Sequence, residues 1–109
     1  MIDLLNEKAN AIKELCQKHF IKELHVFGSA ASGKFNDQSD IDFLYKIDLE
    51  RFKGWDTGKY DYTDNLMSFE NSLTDLLLKK IDLVPAGSFI QNKYLKSSIE
   101  KTKKMLYAD

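Results

Sequence analysis

The chain has 109 residues, of which 43% are hydrophobic and 12% aromatic, and its 16 Lys and Arg residues nearly balance 17 Asp and Glu residues. This length and composition predict one folded domain over residues 1–109 and exclude an intrinsically disordered chain. A net charge of −1 argues against a binder of nucleic acid or of membrane surfaces, because both need a cationic excess. A single cysteine, with no signal peptide and no apolar span, predicts a cytoplasmic protein.

The first half of the chain shows helical and strand patterns in turn. Apolar residues recur at three- and four-residue steps over 2–20, which predicts one amphipathic helix. Residues 21–28 predict a short strand that ends in a turn, and one helical turn is expected to begin at Ser29. A polar loop is predicted over 33–39. Apolar side chains at every second position over 41–47 then predict a second strand with two distinct faces.

The second half is predicted to add a loop, two helices and a strand. Residues 48–62 show no clean period and predict a long loop. A long amphipathic helix is expected to begin near Thr63 or Asp64. Residues 81–84 predict a third strand that the following proline stops, and the tail over about 89–106 predicts a last helix. This order predicts an α/β (α+β) fold in which helices flank a small mixed β-sheet.

Two aspartates on the second predicted strand indicate a cation site. Asp40 and Asp42 are two positions apart, so their side chains leave the same face with Cα atoms about 6.5 Å apart. Uncompensated carboxylates beside an apolar strand are costly, and the nearest basic residue on that face, Lys46, is about 13 Å along the strand from Asp42. A divalent cation is the expected compensator. Ligands that are all oxygen favour Mg²⁺ or Mn²⁺ over zinc.

A third carboxylate and a small-residue turn make this pattern more specific. Asp82 lies on the third predicted strand, and three carboxylates on adjacent strands are typical of two-metal phosphoryl transfer. An Asp-x-Asp pair alone is more often a solvated edge or turn feature. Here, however, Gly28 and Ser29 close a strand and open a helical turn, where N–H groups face an incoming phosphate. The combination therefore indicates a site for a phosphorylated ligand.

The segment GSAASGKFNDQSDIDFLY, with the later KKIDLV, resembles the signature of nucleotidyltransferases related to DNA polymerase beta. The whole chain resembles the minimal nucleotidyltransferase subgroup. The resemblance implies that Gly28 and Ser29 hold a nucleoside triphosphate and that Asp40 and Asp42 bind the metal. It also implies that Asp82 is the third carboxylate, which orients or deprotonates the attacking hydroxyl.

The same resemblance implies a reaction and a partner. The implied reaction transfers a nucleoside monophosphate, AMP if ATP is the substrate, to an acceptor hydroxyl with release of pyrophosphate. Members of the minimal subgroup often act as antitoxins beside a HEPN-type ribonuclease toxin, and some adenylylate it. A HEPN-type toxin is therefore the expected protein partner, in a homo- or hetero-oligomer, whereas nucleic acid and membrane are not expected partners.

One position departs from the family pattern. Many minimal members have arginine followed by glycine where this chain has Ser32 and Gly33. A guanidinium that could neutralise phosphate charge is missing, and Lys34 offers a positive charge without the bidentate geometry. Ser32, Gly33 and Lys34 are retained as candidate nucleotide-binding residues, and we expect an activity that is weakened by the missing arginine.

Two other interpretations remain open. The spacing of Gly28, Gly33 and Lys34 is one residue short of a P-loop, which needs Ser or Thr where Phe35 stands, and a regular helix from Lys34 would favour it. The other is a catalytically weak or inactive nucleotidyltransferase-fold module that acts as an antitoxin by protein contact. The missing arginine and the aromatic residues of the long loop favour this second alternative.

Neither of the two histidines is expected to be catalytic, and the cysteine is not either. His19 and His25 lack metal-ligand partners at useful spacing and are predicted to lie at a helix end and on a strand face. Cys16 falls on the apolar stripe of the first helix, which predicts a small core residue.

Overall fold

The computed structural model describes residues 2–32, 40–48, 50, 62–86 and 93–108. Within these ranges, helices and strands alternate along the chain as the periodicities predict, with one additional strand at the end. The helices are α1 (Ile2–Glu7), α2 (Ala9–Lys18), α3 (Ser29–Ser32), α4 (Tyr62–Leu77) and α5 (Lys93–Thr102), and the strands are β1 (Ile21–Phe27), β2 (Ile41–Ile47), β3 (Ile81–Pro85) and β4 (Lys104–Ala108).

The four strands form one mixed sheet in the order β3-β2-β1-β4. β1 runs antiparallel to both β2 and β4, whereas β2 and β3 are parallel and are connected through α4. The predicted small mixed sheet is therefore confirmed. β2, the strand that carries Asp42, lies inside the sheet, and β3 forms an edge on which Pro85 can be accommodated without loss of a ladder bond.

The main core lies between one face of the sheet and the helices α1, α2 and α4. The alternate apolar residues of β2 point into it, as their period of two requires. A second, smaller cluster on the opposite face lies under α5. Its buried members are Phe27, Leu44 and Ile99, with Val84 and Leu95 packed against them. Because Asp42 shares its side of β2 with Leu44, this small cluster adjoins the carboxylates.

The N-terminal helix is interrupted, which corrects the prediction of one helix over 2–20. α1 and α2 are separated at Lys8, where φ is −97° and ψ is 11°. The i−4 hydrogen bonds of the Lys8 amide to the Leu4 carbonyl and of the Ile12 amide to the Lys8 carbonyl both persist. The interruption is therefore a local distortion of the backbone, and the predicted stripe still buries Leu5, Ile12 and Cys16.

The tail contains a strand that the sequence did not predict. α5 ends at Thr102, and residues 104–108 form β4, so the prediction of a helix continuing to Leu106 is wrong. β4 covers the outer edge of β1, with Val26 opposite Lys104 and Tyr107 buried. Pairing with an otherwise open strand edge overrides the local helical pattern. Tyr94, expected on the buried stripe of α5, is 89% exposed.

The remaining predicted elements agree closely with the structure. β1 ends at Phe27, a helical turn begins at Ser29, and α4 begins at Tyr62, one residue before the predicted range. The predicted loop over 33–39 lies outside the described residues, and so does most of the predicted loop over 48–62, whose last residue, Tyr62, instead begins α4. In the described part of the chain, no helix is both long enough and apolar enough to cross a membrane.

Candidate active site

Asp42 and Asp82 lie side by side on neighbouring strands. They are register partners in the parallel pairing of β2 with β3, and adjacent strands are about 4.8 Å apart. Asp40 directly precedes β2, two positions from Asp42. The structure therefore brings the three predicted carboxylates to one end of the sheet. Asp82 is exposed, whereas Asp40 and Asp42 are half-buried.

The pKa of Asp42 shows how these carboxylates influence one another. Burial raises the pKa of Asp42 above its ordinary value of 3.8, and the negative charges of Asp82 and then Asp40 raise it further. The basic group expected nearest on this face, Lys46, lies 3.9 Å from Glu23 in an ion pair. The site therefore concentrates negative charge that a cation would stabilise.

The donor chemistry suits magnesium held by few protein ligands. Among the described residues, no group of three or more His, Cys, Asp and Glu side chains is already arranged to hold a metal. Mg²⁺ commonly uses one or two carboxylates and completes its shell with water and substrate phosphates. Asp42 and Asp40 fit that pattern. Repulsion from Asp40 contributes to the raised pKa of Asp42, and a bound cation would relieve that repulsion.

Gly28 allows the backbone of the first turn to approach this carboxylate. Its φ of +73° lies in the left-handed region, and a Cβ atom at this position would lie 2.8 Å from Asp42 Oδ2. Glycine therefore suits both the positive φ of the turn and the space beside Asp42, where a Cβ would force the carboxylate to move. The Gly28 carbonyl accepts hydrogen bonds from the amides of Ala31 and Ser32, which forms the single turn of α3.

The amide of Gly28 is bound by a residue that sequence reasoning missed. Gly28 N–H donates to Thr102 Oγ1 over 2.7 Å, and the Thr102 hydroxyl donates to the Ser98 carbonyl. This contact could not be predicted, because it joins residues 74 positions apart and Thr102 fell within a predicted continuous helix. Gly28 thus contributes to the site by its small size and its conformation, while its N–H group faces α5.

Comparison with known proteins identifies the family of this chain. Residues 8–106 match the family described as "Nucleotidyltransferase domain". The chain belongs to this family. A relative from Methanocaldococcus jannaschii, named as a candidate protein adenylyltransferase, is 36% identical over 101 residues, which cover 91% of this nucleotidyltransferase chain and 87% of the relative.

Solved structures share the fold of this nucleotidyltransferase. One, described as a candidate minimal nucleotidyltransferase, has a TM-score of 0.67 at 20% identity and covers 94% of this chain and 92% of its own. Another belongs to a complex of a tri-AMPylated HEPN toxin of Shewanella oneidensis with an MNT antitoxin. Its TM-score is 0.58 at 19% identity, covering 96% of this chain and 73% of that one.

The other candidate nucleotide-binding residues of the nucleotidyltransferase are described only in part. Ser29 begins α3, and the hydroxyl of the exposed Ser32 donates to the Ser29 carbonyl over 3.5 Å, a long and weak contact. Gly33 and Lys34 lie outside the described residues, so the P-loop alternative, which requires a helix from Lys34, stays a prediction.

His19 and Cys16 are structural residues in this nucleotidyltransferase domain. Both are buried, and burial raises the pKa of the Cys16 thiol to about 12, which makes it a poor nucleophile at neutral pH. His19 contacts the Leu15 carbonyl through Nδ1 at 2.8 Å and the Ser68 hydroxyl through Nε2 at 3.2 Å. The predictions of a core cysteine and of a histidine at a helix end are confirmed.

Proposed function

We propose that this chain is a Mg²⁺-dependent nucleotidyltransferase that transfers AMP from ATP to a hydroxyl group of a partner protein. The observation that supports this most directly is the pairing of Asp42 with Asp82 beside the Gly28 turn. Carboxylates whose negative charges raise the pKa of Asp42, next to a small-residue turn, suit a cation and a phosphate at the same time. Membership of the nucleotidyltransferase family supports the same reaction class.

Each residue has a distinct task in this proposal. The turn at Gly28 and Ser29 receives the triphosphate, because the first N–H groups of a helical turn have no partner within the helix. Asp40 and Asp42 would hold the divalent cation, which when bound neutralises charge on the phosphates. Asp82 is exposed, so the acceptor hydroxyl can reach it and give up its proton to it.

The bond changes balance without any further reactant. The acceptor oxygen forms a bond to the α-phosphorus of ATP, and the bond from that phosphorus to the bridging oxygen of the β-phosphate breaks. Pyrophosphate leaves with the electron pair of that bond, and the hydroxyl proton passes to Asp82. The product is a protein that carries AMP on a hydroxyl group.

A protein acceptor is favoured by charge and by the comparisons. The net charge of −1 offers no cationic excess for nucleic acid. A relative is named for protein adenylylation, and a structural neighbour comes from a complex with an AMPylated HEPN toxin. We propose a HEPN-type toxin as the acceptor of this chain.

The test is transfer of label from α-labelled ATP to the product of the neighbouring gene in the presence of Mg²⁺ or Mn²⁺. Asp40→Asn and Asp42→Asn are expected to abolish labelling while leaving complex formation intact. Asp75→Asn, a charge-matched change at an exposed position on α4, is the control and should label normally. Complex formation with no labelling under either metal would contradict the enzyme and support an antitoxin that acts by contact.

A further inference from the structure

We infer that Thr102 is a positioning residue that sets the β1–α3 turn, defined as Phe27–Ser29, against Asp42. The inference rests on the proposed function, because it assigns the turn a role in binding the nucleotide. It starts from the 2.7 Å hydrogen bond that the Gly28 amide donates to Thr102 Oγ1.

The sheet register explains why a side chain is needed at this point. Val26 lies opposite Lys104 in the antiparallel pairing of β1 with β4, so continuing the same register places Gly28 opposite Thr102. Thr102 is the last residue of α5, and β4 begins only at Lys104. The Thr102 hydroxyl therefore accepts the hydrogen bond from Gly28 where the regular ladder has not yet begun.

The hydroxyl of Thr102 is itself held in a fixed direction. It donates to the Ser98 carbonyl one turn earlier in α5, which leaves its lone pairs for the Gly28 amide. α5 is in turn fixed on the sheet, because Ile99 is buried against Phe27 and Leu44. The position of α5 is thereby transmitted to the peptide plane of Gly28.

That peptide plane controls the space beside Asp42. The Gly28 Cα is so close to Asp42 Oδ2 that a Cβ there would lie 2.8 Å away, so a small rotation of the turn moves it against the carboxylate. The same rotation redirects the amides that begin α3. The Thr102 hydroxyl bonds to Gly28 and to Ser98, so its effect on the site is assigned to Gly28.

Replacement of the hydroxyl without change of shape tests this role. Thr102→Val should weaken ATP binding by about tenfold, the upper range for loss of one hydrogen bond, while Thr102→Ser should bind ATP as the unsubstituted chain does. Thr74→Val is the matched control. The Thr74 hydroxyl makes the same i−4 bond, to the Glu70 carbonyl in α4 at 2.9 Å, but lies on another element.

The Gly28 amide provides a readout that does not depend on nucleotide. The sequence contains a single Phe-Gly pair, Phe27-Gly28, so labelling with ¹³C-carbonyl phenylalanine and ¹⁵N-glycine isolates that amide by NMR. Its hydrogen exchange should be slow in the unsubstituted chain, in Thr102→Ser and in Thr74→Val. It should become fast in Thr102→Val.

The outcomes distinguish failure of the positioning role of Thr102 from failure of the proposed function. Fast exchange of the Gly28 amide in the unsubstituted chain overturns the inference without any variant, so the test stands even if Thr102→Val fails to fold. Unchanged exchange or unchanged ATP affinity in a folded Thr102→Val overturns the positioning role alone. Absence of ATP binding in the unsubstituted chain overturns the proposed function and this inference with it.

Discussion

Gly28 lies so close to Asp42 that an added Cβ would lie 2.8 Å from Oδ2. Two independent requirements meet at this one glycine: a φ of +73° and the absence of a side chain. The Asp42 carboxylate on β2 and the turn that follows β1 are thus positioned against each other.

Gly28→Ala should destabilise the fold by about 1–3 kcal/mol and sharply reduce labelling activity, because strain at positive φ adds to the clash with Asp42. Urea unfolding measures the first effect. In an Asp42→Ala background the same change should cost less, since only the backbone strain remains. Equal costs in the two backgrounds would show that the close approach is unimportant for stability.

Asp42→Asn should raise the free energy of unfolding at neutral pH while it abolishes activity. Because the pKa of Asp42 is raised in the folded protein, the native state binds more protons than the unfolded state just above pH 3.8, and stability falls as pH rises through the raised pKa. Urea unfolding in EDTA should show a higher free energy of unfolding for Asp42→Asn than for the unsubstituted chain at pH 7. This difference should shrink toward pH 4. A loss of stability at pH 7 would contradict this prediction.

His19 should give stability the opposite pH dependence in a higher range. Burial lowers the pKa of His19 below 6.5, and this effect outweighs the hydrogen bond to Leu15, which raises it. Between the lowered pKa and pH 6.5, the unfolded state therefore binds more protons than the folded state. The contribution of His19 to stability should be fully present above pH 6.5 and should be lost as pH drops through the lowered pKa. His19→Gln should flatten this slope, measured by urea unfolding. His25→Gln is the companion variant, because burial and Lys103 also lower the pKa of His25.

Leu78→Gly should stabilise the protein by about 1 kcal/mol. Leu78 follows the last residue of α4, has a φ of 55°, and donates its amide to the Thr74 carbonyl at 2.8 Å, which is the capping position that glycine favours. Its side chain is 84% exposed, so little packing is lost. Leu78→Ala keeps the backbone strain and should show no comparable gain. A gain of the same size in Leu78→Ala would assign the effect to the side chain.

Ser32→Arg should increase ATP affinity by about tenfold, because an added guanidinium can bind phosphate oxygens in a bidentate manner. Ser32 is exposed and its hydroxyl makes a weak contact within α3, so an arginine can be accommodated. Ser32→Lys adds the same charge without the planar geometry and should give a smaller increase. Calorimetric titration with ATP measures both, and no increase in either variant would exclude this position from phosphate binding.

The parts of the fold that could be predicted are those in which one period persists. Alternation over 41–47 located β2 and its two faces, and the carboxylates between apolar neighbours located Asp42 and Asp82. β4 could not be predicted, because the lysine-rich segment after Ile99 continues a helical stripe and only the edge of β1 makes it a strand. Thr102 could not be predicted for the same reason, since its partner Gly28 is distant in the sequence and near only in the folded sheet.

The terminal strand also links the site to the completeness of the fold. Gly28 follows β1 and Asp42 lies on the adjacent antiparallel strand β2, so the two can meet early in synthesis, but the contact that holds Gly28 awaits a residue 74 positions later. The ribosome must therefore synthesise the chain past Thr102 before this hydrogen bond can form. Fraying of β4 from β1 would loosen that turn while leaving Asp42 and Asp82 paired, so the carboxylates and the phosphate-binding turn need not lose their order together.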